Sequence, residues 1–243
     1  MNEHKIILKT RIGSHCHGTN TPESDEDIRG IFIPPIEYYL GLKEIEQFKG
    51  EGKDEEYWNI KKFFRLAIIG NLSALNIIFT REKDILDCDL IGNSILVNRQ
   101  MFISMKVIDS IHGYCTSQLH KMHIGKGTKG HGRTGDRTDL IEKYGYDTKF
   151  AYHALMLTFL GIDILKTGTY RTYLPDGQQK YVMSIRRGET KYEDCMKMIA
   201  GNLTVMKTLE PLERIPKEPD TEKINKFLVS TLEGYYEHVK GNI

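Results

Sequence analysis

Residues 13–30 read G-S-H-C-H-G-T-N-T-P-E-S-D-E-D-I-R-G, and the parsing of this stretch decides the fold. Upstream lies an apolar run of Ile6, Ile7, Leu8 and Ile12, so Gly13-Ser14 reads as a turn off the end of a strand over residues 4–12. Downstream, residues 26–33 read as a second strand, stopped by Pro34-Pro35. Asp25 and Asp27 are two apart, and strand alternation sends residues i and i+2 to the same face. Carboxylates held that close repel one another, a conflict that a divalent cation removes. Mg²⁺ is commonly held by one or two carboxylates together with substrate phosphates and waters. S-D-E-D is also ordinary turn chemistry. From the acidic triplet alone, a metal–triphosphate site and a solvated acidic turn both stand open.

Between the two strands, residues 15–24 read as a short helix or loop ending near Pro22. Beyond them, a turn at Gly41 and an acidic connection bearing Gly50 and Gly52 lead to a third strand candidate over 53–58. There Asp54 and Glu56 would share a face. The period then becomes helical: Ile60, Phe63, Phe64, Ala67 and Ile68 form a stripe opposite Lys61, Lys62 and Arg65, and Gly70-Asn71 closes the helix. A short helix is expected over Leu72 to Phe79. Residues 80–98 are mixed, and D-I-L-D-C-D reads as solvated loop. Helical patterns cover 99–122, 147–167, 190–210 and 220–240. A glycine-rich basic gap over 124–136 interrupts them, as does 171–187, where Pro175-Asp176-Gly177 predicts a turn between two short strands. The expected fold is α/β of the α+β kind, with a small mixed-sheet core over 1–98 and a helical half over 99–243.

Composition narrows the class. The chain has 243 residues, 40% hydrophobic and 28% charged, with 13 tyrosines and a net charge of +1, which fits a globular protein able to bury a sizeable core. No apolar run approaches the roughly 18 residues that span a bilayer, and the N-terminus lacks the apolar region of a signal peptide. No membrane partner and a cytoplasmic location are therefore expected. Cys16, Cys88, Cys115 and Cys195 are scattered, which argues against a disulfide framework or a zinc ribbon. Adjacent residues in His15-Cys16-His17 point apart on an extended segment, so one ion would not collect all three. Acidic residues crowd 43–56, while basic ones crowd 117–137 alongside His120, His123 and His131.

Gly13-Ser14 followed by Ser24-Asp25-Glu26-Asp27 and Gly30 resembles the signature of the DNA polymerase β-type nucleotidyltransferase superfamily. The fuller pattern is similar to the branch linked by gene context to RNA repair in bacteria and phages. The match continues through Lys62-Phe63, Leu66-Ala67, Gly70-Asn71, Ile78-Phe79 and Gly113-Tyr114. It extends into Lys143-Tyr144-Gly145-Tyr146-Asp147, Lys149, His153, Gly168 and Ile185-Arg186-Arg187-Gly188-Glu189, and so covers roughly residues 5 to 190 in order. Leu72 stands where that branch usually shows proline, a departure that touches a helix start.

The resemblance implies a nucleotidyltransferase that moves an NMP from an NTP such as ATP to an acceptor hydroxyl. Backbone N–H groups at Gly13-Ser14 would cradle the phosphates, with the Ser14 hydroxyl donating to one of them. Asp25 and Asp27 would hold two Mg²⁺ ions, or Mn²⁺ in their place, with Asp54 or Glu56 as the third, catalytic carboxylate. Arg29 would pair either with phosphate or with a neighbouring carboxylate. Lys149 would meet the triphosphate, and Tyr146 or His153 would lie near base or sugar; the alternative is a partly buried polar helix face. The basic stretch 120–137 would be a phosphate-contacting flap or a solvated loop. The acceptor implied first is nucleic acid, an RNA or tRNA 3′ end. A small molecule or protein hydroxyl is the second, and a catalytically inactive nucleotide-sensing module is the third.

Overall fold

The computed structural model describes residues 4–124 and 138–241. In chain order it runs β1 (Lys5–Ile12), α1 (Gly13–His17), β2 (Asp27–Ile33), α2 (Glu37–Leu40), β3 (Gln47–Lys49), β4 (Glu55–Asn59), α3 (Ile60–Ile68), α4 (Leu72–Ile78), β5 (Ile85–Cys88) and α5 (Leu90–Val97). Helices α6 (Met105–Ile124), α7 (Thr138–Tyr144), α8 (Thr148–Thr167), α9 (Asp176–Arg186), α10 (Tyr192–Thr208) and α11 (Thr221–Gly241) complete the chain. The class is the mixed α/β one expected. Two compact units divide it: residues 1–107 with 216–243, and residues 108–215.

The first unit is built on one sheet in the order β3-β4-β2-β1-β5. β1 pairs antiparallel with both β2 and β5, β2 runs parallel to β4, and β3 pairs antiparallel with β4, so the sheet is mixed. Leu8, Thr10 and Ile12 alternate along β1 and are all buried. Ile31 and Ile33 continue that layer on β2, and Ile60, Phe63, Phe64 and Ala67 of α3 complete it with almost no exposure. Phe102 packs edge-on against both Phe63 and Phe64. Asn59 caps α3, its Oδ1 accepting from the Lys61 N–H at 2.9 Å. Gly70 at φ 72 turns the chain out of that helix while the Asn71 N–H returns to Leu66 O. Asn71 then caps α4 through the Ala74 N–H, so the helix starts cleanly at Leu72 without a proline.

Gly30 lies where sheet and ring leave no room. A Cβ there would sit 2.5 Å from Leu8 O and 2.6 Å from the Tyr57 ring. That close approach lets Tyr57 lie flat across β2 and stack on Phe48, with ring centroids 5.0 Å apart. Helix α11 belongs to this unit as well. Phe227 stacks on Phe64 at 6.1 Å, and the Tyr236 hydroxyl donates to Pro34 O at 2.6 Å.

The second unit is helical. Its centre is α8, which packs with α9 and α10 and buries Ala154, Leu155, Ile164 and Leu165. Asp147 caps it, Oδ1 accepting from the Lys149 and Phe150 N–H groups. By length and hydropathy α8 would pass for a membrane span, yet 67% of that window is buried inside the protein, as befits a core helix. Gly161 faces Met206 of α10, whose Cε would lie 2.4 Å from an added Cβ.

Several expectations are corrected. Residues 85–88 are not loop: they form the edge strand β5, with Asp87 the register partner of Lys9 on β1. An exposed acidic residue suits a sheet edge, because charge there discourages pairing with a further strand. Residues 171–187 hold no strand pair. Pro175 and Asp176 begin α9, which buries Val182 and Ile185; a proline and an acid at a helix start mimic a turn signal. β4 starts at Glu55 and not at 53, because a turn joins Gly50 N–H to Glu55 O and Glu55 N–H to Gly52 O. β2 starts at Asp27, one residue late, after a turn in which Ser24 N–H bonds Thr21 O. Helix α11, which follows the second unit in the chain, returns to the sheet unit, where Phe227 packs on Phe64 of α3. The basic stretch expected as a flap lies, from 125 to 137, outside the described residues.

Candidate active site

The first unit brings Gly13 and Asp27 into direct apposition. Ile12 and Asp27 are register partners at the end of the β1–β2 ladder. Gly13 then takes φ 69 and starts α1. A Cβ on Gly13 would lie 2.5 Å from Asp27 Oδ2, so the Asp27 carboxylate rests against the bare Cα. Glycine is required here twice, by its left-handed backbone and by this contact. Ser14 O accepts from the Thr19 N–H at 2.9 Å, and Cys16 Sγ donates to Gly13 O at 3.2 Å, which fixes the small helix from inside. Cys16 is fully buried, and burial pushes its thiol up to about 12, with the negative charge of Asp84 adding to the shift. It is a packed thiol, not a ligand.

Asp54 stands one residue ahead of β4. The ladder pairs Ile28 with Glu55, and the Ile28 N–H bonds Asp54 O at 3.1 Å, so one step back along both chains Asp54 neighbours Asp27. Asp25 precedes β2 on an exposed segment, 3.9 Å from Lys53 Nζ. Strand alternation therefore covers Asp27 but not Asp25, and it does not reach Asp54. Glu56 has other partners: Trp58 Nε1 donates to it at 2.9 Å, and Arg29 Nε stands 3.7 Å away. Arg29 also donates through Nη1 to Ile28 O and Asp54 O, at 2.8 and 2.9 Å. Arg29 thus stands beside the Glu56 carboxylate and ties down the backbone of the Asp54 turn.

Asp25, Asp27 and Asp54 offer only hard carboxylate oxygens and lie on the partly exposed end of the sheet, a donor set that suits Mg²⁺. Among the described residues no three of His, Cys, Asp or Glu stand in ligand geometry. The match to Mg²⁺ is therefore one of donor type and of the Asp27–Asp54 adjacency alone, the three aspartates not being gathered around one point and Asp25 being the outlying member.

On the opposite side of the same strands lies a polar cluster that pattern reading misses. Lys9 Nζ is 2.7 Å from Glu55 Oε1, the Tyr57 hydroxyl donates to the same carboxylate, and the Gly52 N–H donates to Oε2 at 3.0 Å. Burial works against the Glu55 carboxylate, yet the hydrogen bonds from Lys9, Tyr57 and Gly52 together hold it below the usual range. A depressed folded pKa contributes stability above the unfolded value and loses it as pH falls through the folded one. Unfolding measured from pH 7 down to 3 should show stability declining below the ordinary glutamate value of about 4.3. Glu55→Gln should lower stability at pH 7 and flatten that acid limb.

Tyr146, Lys149 and His153 belong to the second unit. Tyr146 is buried there, its hydroxyl donating to Thr190 O at 2.7 Å and its pKa pushed up to about 12 by burial. His153 stacks on Tyr152, with ring centroids 4.3 Å apart, and Lys149 is exposed. Tyr146 therefore holds the entry to α8, and Lys149 and His153 are the more accessible members of the triplet.

The family model of the RNA repair pathway DNA polymerase beta family (RlaP) matches residues 1–242. An uncharacterized 38.9 kDa protein from the nrdC-mobD intergenic region of Enterobacteria phage T4 is 31% identical over 138 residues. That alignment covers 51% of this chain and 40% of the phage protein, so this chain matches well under half of its relative's length. No solved structure matches.

Proposed function

The chain belongs to the RNA repair pathway DNA polymerase beta family, and on that basis we propose that it is a nucleotidyltransferase that moves an NMP from an NTP to an acceptor hydroxyl. The observation that carries this reading is the seating of the Asp27 carboxylate on Gly13 Cα, which joins a glycine-serine turn to an acidic strand at one point. In the reaction the acceptor oxygen bonds to the α-phosphorus, the bond from that phosphorus to the bridging oxygen breaks, and pyrophosphate leaves. Gly13 and Ser14 N–H groups, with the Ser14 hydroxyl, bind the β and γ phosphates and stabilise the departing charge. Asp25, Asp27 and Asp54 would hold Mg²⁺, which supplies charge neutralisation at both the entering and leaving oxygens. Asp54, beside Asp27, takes the proton of the acceptor hydroxyl. Glu56, already engaged by Trp58 and Arg29, keeps the Asp54 turn in place instead.

The acceptor in this reading is an RNA 3′ end, for which the family's association with an RNA repair pathway is the support. With each α-labelled NTP and Mg²⁺, label should pass to RNA, with pyrophosphate released and RNA binding falling steeply with salt. Label on protein or small molecules would point to the other acceptors, and absence of pyrophosphate with every acceptor would leave only a nucleotide-binding module.

A further inference from the structure

Resting on the nucleotidyltransferase reading, we propose that Arg81, Asp84 and Arg11 form a positioning relay that ties α1 to the acidic segment carrying Asp25 and Asp27. The relay is continuous. Arg81 Nη2 donates to His15 O in α1 at 3.2 Å. Arg81 Nε and Nη2 both reach Asp84 Oδ2 at 2.8 Å. Asp84 Oδ1 stands 3.6 Å from Arg11 Nη1, and Arg11 Nε donates to Glu26 Oε1 at 2.5 Å. Glu26 lies between Asp25 and Asp27 in the chain. One end of the relay thus holds the helix bearing Gly13 and Ser14, and the other holds the residue flanked by both carboxylates.

The middle of this relay is the part hidden from water. The Asp84 side chain is 4% exposed, and those of Arg81 and Arg11 are 26% and 29% exposed. A carboxylate buried between two guanidiniums is coupled to both, because removing either leaves one of its oxygens without its partner out of water. Thr80 Oγ1 adds a bond to Arg11 O at 3.3 Å and keeps the arginine's strand end in place. The outer link, to Glu26, is a surface one, its side chain 49% exposed, while the inner link to α1 pivots on the buried Asp84. Together they add to the β1–β2 register in fixing the separation that a triphosphate must bridge between the Ser14 turn and the carboxylates. Arg81, Asp84 and Arg11 touch neither substrate nor metal in this scheme, so they are positioning residues.

The test measures coupling directly. Arg81 bonds His15 O in α1 and Asp84, and Arg11 bonds Glu26. Hydrogen exchange on the full chain should rise about tenfold or more at residues 21–28 in Arg81→Gln, and at α1 in Arg11→Gln. Asp84→Asn should loosen both, and Arg81→Lys, which keeps the charge but loses the fork, should recover part of the protection. In transfer assays the same variants should lose about 10²-fold in kcat/KM, on the scale of a 1 Å misplacement. Should Asp84→Asn fail to fold, the two arginine variants decide the matter. Loosening confined to the segment each arginine touches, or unchanged kcat/KM with lowered thermal stability alone, overturns the relay. If wild-type protein neither binds nor turns over any Mg·NTP, the nucleotidyltransferase reading fails, while the exchange pattern still decides whether the two segments are coupled.

Discussion

Asp27→Asn should abolish NMP transfer while leaving the fold intact. The substitution is isosteric, and Asp27 sits at the partly exposed first position of β2, so unfolding transitions should coincide with those of wild type within about 0.5 kcal/mol. Activity should drop by about 10³-fold or more, because the carboxylate contributes several kcal/mol of charge neutralisation in the transition state and each 1.36 kcal/mol is about tenfold in rate. Titrating Mn²⁺ with and without nucleotide gives a readout that needs no turnover: metal affinity should fall with the charge. Glu56→Gln is the matched comparison. That residue answers to Trp58 and Arg29, so its loss should trim stability and change transfer far less. Equal losses for the two variants would mean the assignment of the third carboxylate to Asp54 is wrong.

Gly13→Ala should be the second severe change, for a different reason. Its φ of 69 places any side chain in the left-handed region, at a cost of about 1–2 kcal/mol. The added Cβ would also fall 2.5 Å from Asp27 Oδ2, closer than atoms approach. A carboxylate on a single rotatable stem yields before the backbone does, so Asp27 swings aside. The expected result is a modest fall in thermal midpoint, about 2–4 °C per kcal/mol, with kcat/KM reduced about 10²-fold. Because both substitutions act through one carboxylate, Gly13→Ala combined with Asp27→Asn should be scarcely worse than Asp27→Asn alone. Additive losses in that double variant would show that Gly13 acts on something other than Asp27.

Much of this site is legible in the chain, since its parts are local. A glycine followed by serine at the end of an apolar run, and two acids opening the next one, specify a turn and a strand with little help from the rest. The stripe Ile60, Phe63, Phe64 and Ala67 is equally plain, and all four side chains are buried. What alternation could not supply was phase at the strand ends. Thr21–Ser24 and Gly50–Glu55 each close a turn, and those turns decide that Asp25 and Asp54 lie just outside their strands. Nor did the sequence advertise Asp84. It opens D-I-L-D-C-D, which reads as solvated loop, and only the fold places it between Arg81 and Arg11. Edge strand β5 escaped for a related reason: four residues with two acidic neighbours carry too little pattern to stand out from a loop. In α9, Pro-Asp-Gly serves as a hairpin tip or a helix start depending on whether the residues after it carry a strand or a helix period.

The hydrogen bond from Tyr236 to Pro34 O spans 202 positions. Its consequence is kinetic. The sheet with α1 and the carboxylates is assembled from chain that leaves the ribosome before residues 108–215, whereas the helix that seals α3 leaves it after them. Everything from Ile108 to Ile215 is made in between. Closing so long an excursion carries an entropic penalty that local pairing does not, and contacts of high sequence separation form slowly. The Gly13–Asp27 end of the sheet therefore exists in outline well before it is locked, and the helical segment has time to fold alone while the sheet waits for α11.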